Sequence, residues 1–158
     1  MYVKIGKPGD KRYKEVIRID EWDTWSMDRT LSPIILPMLI QLKETMHGVP
    51  CSMPAYDEDP WGDSDETFEK AEVQWNEILD KMIWSFTQLC QDDDGEDQFW
   101  SVHPELDLDD YPEDEGKDAV PVRWKVPGEV DFDALKAHRE RIKEGLELFG
   151  KYYQSLWD

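Results

Sequence analysis

The chain has 158 residues, the size of one compact domain, and its 37 Asp and Glu outweigh 18 Lys and Arg to leave a net charge of −19. With 39% apolar residues and eight Trp it is too rich in core-forming side chains for a disordered acidic tail. No apolar run approaches the roughly 18 residues of a membrane span, the N-terminus lacks an apolar signal core, and Cys51 and Cys90 make no disulfide framework, so a cytoplasmic setting is expected.

Residues 2–5 and 13–19 read as strands joined by a turn at 7–10, where Pro8 and Gly9 supply the backbone angles. Strict alternation of Val120, Val122, Trp124 and Val126 predicts a third strand, with Pro121 marking an edge. Together these make a small antiparallel sheet.

A first helix is expected over 32–46, with Ser32 as cap and Pro33 at the first helical position. Ile35, Met38, Leu39, Leu42 and Met46 give it an apolar stripe, Pro37 should bend it, and Gly48 and Pro50 end it. A second helix should start after Asp63 or Ser64, where Asp63 and Glu66 resemble a capping box, and run to Cys90. Its stripe of Phe68, Trp75, Leu79, Met82, Ile83 and Phe86 is the clearest pattern in the chain. A third helix over 132–156 turns Leu135, Ile142, Leu146, Phe149, Tyr153 and Leu156 inward. Gly145 and Gly150 inside it predict close packing of another segment or a local break. The expected fold class is therefore α+β, mainly α: one domain over 1–158, with three long helices around a single core, a small antiparallel sheet and a long acidic connection over about 91–118. That connection is too long for a passive loop, and Phe99, Trp100, Tyr111 and Trp124 should pin it to the body.

The charge is regional. Residues 57–118 hold 23 acidic and three basic side chains, a net −20, while the rest of the chain is +1. Such a field repels nucleic acid and anionic lipid and attracts basic protein surfaces. Its densest runs, Asp92, Asp93, Asp94, Glu96 and Asp97, then Asp107, Asp109 and Asp110, are the candidate binding residues. The competing reading is a solvated loop that keeps the protein soluble. Trp22 and Trp25, set among four acids at 20–28, are a candidate aromatic clamp or interface anchor; otherwise they cover the junction between sheet and helix.

Catalytic and metal patterns are weaker. With Gly95 or Gly62 in the sixth place of an EF-hand loop, the required oxygen ligands are missing, which leaves no cofactor beyond a looser divalent-cation site among the acids at 92–97. Cys51, Cys90, His47, His103 and His138 are scattered singly rather than at zinc spacing. His103 near Glu105 is a candidate acid–base pair. Glu77 and Asp80 have the i, i+3 spacing that aims two carboxylates at one Mg²⁺ in a hydrolase. A nucleotide-binding pocket would have to draw on Lys136, Arg139, Arg141 and Lys143.

The motif WDTWSMDRTL at 22–31, then PMLIQLKETMHG at 37–48, ILDKMIW at 78–84, EDQF at 96–99 and LFGKYY at 148–153 resemble a family of proteins from tailed bacteriophages and marine viral metagenomes. The resemblance implies a phage-encoded protein acting in the cytoplasm of an infected bacterium, and implies no activity. The expected function is an acidic interaction protein that engages a basic surface of a host or phage factor by nucleic-acid mimicry, with no direct binding of nucleic acid or membrane. The alternatives are an anti-defence protein that binds a nucleotide signal and a metal-dependent hydrolase.

Overall fold

The computed structural model describes residues 2–4, 16–59, 65–107 and 124–157. They form a mainly helical α+β protein whose strands are short and antiparallel. In chain order come β1 (Tyr2–Lys4), β2 (Val16–Arg18), a 3₁₀ turn Glu21–Thr24, α1 (Met27–Thr45), α2 (Ala55–Glu58) and α3 (Asp65–Leu89). A 3₁₀ segment Asp92–Phe99 leads into β3 (Trp100–Val102) and β4 (Glu105–Leu106), and then β5 (Trp124–Val126), β6 (Glu129–Val130), α4 (Phe132–Tyr152) and a last 3₁₀ turn, Tyr153–Ser155.

The helix α3 is central, packed against α1 on one flank and α4 on the other. Ala71, Trp75, Leu79, Met82 and Phe86 recur on one face and are buried. Across from them, Trp75 meets Tyr152 edge to face at 5.4 Å and Phe86 meets Phe149 at 5.0 Å. Phe68, expected in the same stripe, is exposed, as are Leu146 and Tyr153 of the expected α4 stripe. Among the described residues α4 has only α3 as a helical neighbour of any extent, so Leu146 and Tyr153 on its outer edge stay in solvent.

The start of α1 differs from expectation. The helix begins five residues before Ser32, with Thr30 N–H donating to the Ser26 carbonyl at 3.1 Å, so Pro33 and Pro37 are both interior. Each removes an N–H and costs about 3 kcal/mol in an isolated helix; here packing against α3 offsets that cost. Ser32 is buried, and its hydroxyl donates to the Asp28 carbonyl at 2.7 Å instead of capping. At the other end Met46 is extended at φ −59°, ψ 131°, which stops the helix before Gly48. The following stretch folds back on the core: Met53 is fully buried and the Ala55 N–H donates to Gln74 Oε1 at 3.1 Å.

Among the described residues the strands form three separate two-stranded ribbons rather than one sheet. β5 pairs with β4, not with β1 or β2, because residues 124–126 return beside the acidic connection. β3 pairs with β6, which carries the chain from the 3₁₀ segment to the Asp131 cap of α4, where Asp131 Oδ1 accepts from Ala134 N–H at 3.0 Å. The turn at 7–10, the Asp63 cap, Val120 to Val122 and Tyr111 lie outside the described residues.

Candidate functional site

The acidic run that follows α3 is a fixed turn, where the sequence suggests a stretch without defined geometry. Asp93, Asp94 and Gly95 are successively left-handed, with φ of 52°, 53° and 73°. An aspartate there costs about 1–2 kcal/mol, less than most residues because its short polar chain bonds locally. Glycine meets no backbone penalty at Gly95, whereas any other side chain would be strained there and its Cβ, 2.7 Å from Gln88 Oε1, would have to displace the end of that side chain.

The contacts that hold this turn come from α4. His138 is buried, ringed by Trp84 and Phe99 at 5.4 and 5.1 Å between centroids, with Nε2 2.8 Å from the Asp94 carbonyl. A carbonyl only accepts, so Nε2 carries the proton. The next residue, Arg139, donates from Nε and a terminal nitrogen to the two Glu96 oxygens, both at 2.6 Å. That fork holds the Glu96 carboxyl below its ordinary range, against an opposing effect of burial, and raises Arg139 further. Asp97 pairs with His103 at 3.4 Å, and His103 stacks on Trp100. Asp94 Oδ1 is buried without a hydrogen bond, 3.8 Å from the Arg29 guanidinium.

The candidate cluster thus divides. Asp92 projects into solvent and Asp93 is exposed at the rim of a 410 Å³ polar hollow, around which Asp94, Glu96 and Asp97 face Arg29, Arg139 and His103. Among the described residues no three His, Cys, Asp or Glu side chains are placed to hold a metal ion. Asp107 is half-buried, and Asp109 and Asp110 lie outside the described residues. Glu105 pairs with Lys125 and not with His103, which removes the expected acid–base pair.

Because the folded pKa of Glu96 is lowered, its stabilising effect is complete above the ordinary glutamate value near 4.5 and is lost as pH falls through the lower folded value. Glu96→Gln should therefore lower the urea midpoint at pH 7, and the gap from wild type should narrow as pH falls below the ordinary glutamate value near 4.5. A gap of constant size across that range would mean the fork with Arg139 contributes nothing.

The carboxylates proposed for Mg²⁺ do not converge. Asp80 is bridged to Lys43 of α1, while Glu77 borders a shallow hollow with Glu66 and Glu69. The expected cationic pocket is likewise dispersed. Arg139 is held by Glu96, Arg141 lies over the Trp84 ring at 3.7 Å, and Lys143 stands near Glu140 and Glu147 on its own helix.

The outer face of α3, whose Glu69, Glu72, Glu77 and Asp80 the sequence offers as a metal-holding set or a solvated face, carries a longer acidic array. Asp65, Glu66, Glu69, Glu72, Glu77 and Asp80 are exposed, and at about 100° per residue they fall within an arc of roughly 140° opposite the core. Glu66 holds Lys70 at 2.8 Å and Asp80 holds Lys43. The other four make no ion pair among the described residues, although Lys70 shares a hollow with Glu69 and Glu77. The signal was present in the i, i+3, i+4 spacing of the acids.

Trp22 and Trp25 face solvent at 71% and 83% exposure, their rings 6.0 Å apart, on the 3₁₀ turn that Asp20 and Asp23 cap reciprocally. They do not cover a junction. No helix among the described residues is long and apolar enough to cross a membrane. No protein-family model, curated protein or solved structure matches the chain.

Proposed function

We propose that the protein is a phage-encoded acidic interaction protein of the infected bacterial cell, whose α3 face occupies a basic groove on a host or phage protein. The observation that carries this reading is the row of six exposed carboxylates on α3. From Asp65 to Asp80 the helix rises about 22 Å, so the six carboxylates are on average about 4.5 Å apart along the axis. One strand of duplex DNA presents a phosphate every 3.4 Å or so. The two turn carboxylates Asp92 and Asp93 continue the charge beyond the end of the helix. A partner that binds nucleic acid through Lys and Arg meets a comparable spacing here, on a scaffold made rigid by the α3 core. The like charge opposes direct association with nucleic acid or an anionic membrane.

The test is capture from phage-infected cells, with wild type and Glu69→Gln/Glu72→Gln/Glu77→Gln as baits, read by quantitative mass spectrometry. The expected result is a basic nucleic-acid-binding protein enriched by wild type, displaced by added duplex DNA and lost with the triple variant. All three replacements lie on an exposed helix face, so the variant should melt like wild type. A partner retained equally by both baits, or tight binding of wild type to duplex DNA itself, would overturn the reading.

A further inference from the structure

Beside the acidic turn lies a hollow of 460 Å³ between the end of α3 and the first half of α4. Trp84 and Gln88 enter it from successive turns of α3, Ala134, Ala137, His138 and Arg141 from one face of α4, and Gln98 and Phe99 close it from the 3₁₀ segment. No carboxylate lines it, in a chain of net charge −19. Its polar groups are unspent. Gln88 is 8% exposed, yet its side-chain amide makes no hydrogen bond among the described residues. The one sealed side-chain polar atom without a partner there is Asp94 Oδ1, so the Gln88 amide opens on the hollow. His138, 7% exposed, gives its Nε2 proton to the Asp94 carbonyl, which leaves Nδ1 an acceptor that no described residue fills. Gln98 donates from Nε2 to the Gly95 carbonyl at 2.6 Å and keeps Oε1 as an acceptor. Arg141 makes no ion pair among the described residues and lies over the Trp84 ring.

We infer that this hollow binds an uncharged purine base or nucleoside that carries an exocyclic amine, of which adenosine is the simplest example. The site goes beyond the acidic surface proposed above and does not depend on it. A buried amide without a partner carries an uncompensated desolvation cost, which a ligand's hydrogen bonds remove. The walls are flat groups: the Trp84 indole, the Arg141 guanidinium laid over it at 3.7 Å, and the rings of His138 and Phe99, 5.1 Å apart. Flat walls suit a flat aromatic ring, and the short side chains of Ala134 and Ala137 leave it room. Three of the open groups, Gln88 Oε1, Gln98 Oε1 and His138 Nδ1, are acceptors, so the ligand must bring an amine. The Gln88 amide can pair with such an amine and the adjacent ring nitrogen together, the two-bond match between glutamine and adenine. A phosphorylated ligand would meet a single cation in the lining and the negative field of the whole chain, which selects the uncharged form.

The probe is adenosine, titrated into the full chain and followed by calorimetry and by side-chain amide and indole shifts. Saturable binding is expected, with the shifts concentrated at Gln88, Gln98 and Trp84. Gln88→Leu removes the amide at similar volume and should weaken binding at least about tenfold. With no unpaired amide to bury, that variant should melt at or above the wild-type temperature. Ala137→Phe, on an exposed position of α4, fills the hollow without touching the amide; it should abolish binding and melt close to wild type. Purine riboside, which lacks only the exocyclic amine, should bind at least about tenfold more weakly than adenosine. No saturation at millimolar adenosine, or undiminished binding by Ala137→Phe, would overturn the site while leaving the acidic-surface reading, which rests on other residues, intact. Equal binding of purine riboside would overturn the amine-bearing ligand. Tighter binding of an adenine oligonucleotide than of adenosine would make nucleic acid the source of the base and overturn the uncharged free ligand.

Discussion

Trp75→Ala should destabilise the protein by about 3–5 kcal/mol, read as a shift of the urea midpoint at unchanged slope. Trp75 is 1% exposed at the middle of α3, and it is the side chain through which α3 meets Tyr152 at the end of α4. Truncation removes the edge-to-face pair and leaves a void bounded by Leu79, Met82 and Ala71, which sit on the same helix and cannot collapse into it. Ile83, on the edge of the same stripe, is only partly buried and should cost less. A loss below about 1 kcal/mol for Trp75→Ala would show that the three helices do not share the core described above.

Gly145→Ala is expected to cost about 2–3 kcal/mol even though alanine is the better helix former. A Cβ at this position would stand 2.0 Å from Ser85 Oγ, 2.6 Å from Ser85 Cβ and 2.6 Å from the Lys81 carbonyl, so α3 and α4 would have to separate. The hydroxyl of Ser85 itself donates to the Arg141 carbonyl at 3.3 Å across the same contact. Pairing Gly145→Ala with Ser85→Gly removes two of the three clashes and should recover part of the loss, a coupling that a double-mutant cycle measures. Gly150→Ala, with open space at its Cβ, should instead stabilise by about 0.5–1 kcal/mol. Equal effects at the two glycines would mean that the helices do not meet at Gly145.

The two glycines show how far sequence reasoning reached. Apolar periodicity located the helical stretches that contain α1, α3 and α4, though not the start of α1, and Gly145 announced a close approach, because those signals are local and repeat along one face. The start of α1 was misplaced because Pro33 has a strong preference for the first turn, which tertiary packing overrode. Met53 and Ala55 escaped notice since a short buried turn has no period to detect. The single sheet expected from three strand patterns became separate ribbons because pairing is decided by the return path of the chain, and residues 124–126 come back beside 105–106.

The acidic turn departs furthest from expectation. Composition identified Asp92, Asp93, Asp94, Glu96 and Asp97, and an Asp–Asp–Gly run is suited to left-handed backbone. That His138 and Arg139 would clamp Asp94 and Glu96 from a helix more than forty positions away was not visible in any local pattern. Once those contacts neutralise part of the turn, the exposed charge that remains is concentrated on α3, which a search for dense runs passes over because its acids are spaced three and four apart.

The most direct measurement of the proposed function is the dissociation constant of the captured basic partner as a function of salt, for wild type and for Glu69→Gln/Glu72→Gln/Glu77→Gln. Wild type should lose affinity steeply and log-linearly as salt rises, and the triple variant should bind more weakly with a shallower slope, since fewer charge contacts are made. An affinity that does not change with salt, or identical slopes for the two proteins, would contradict the account.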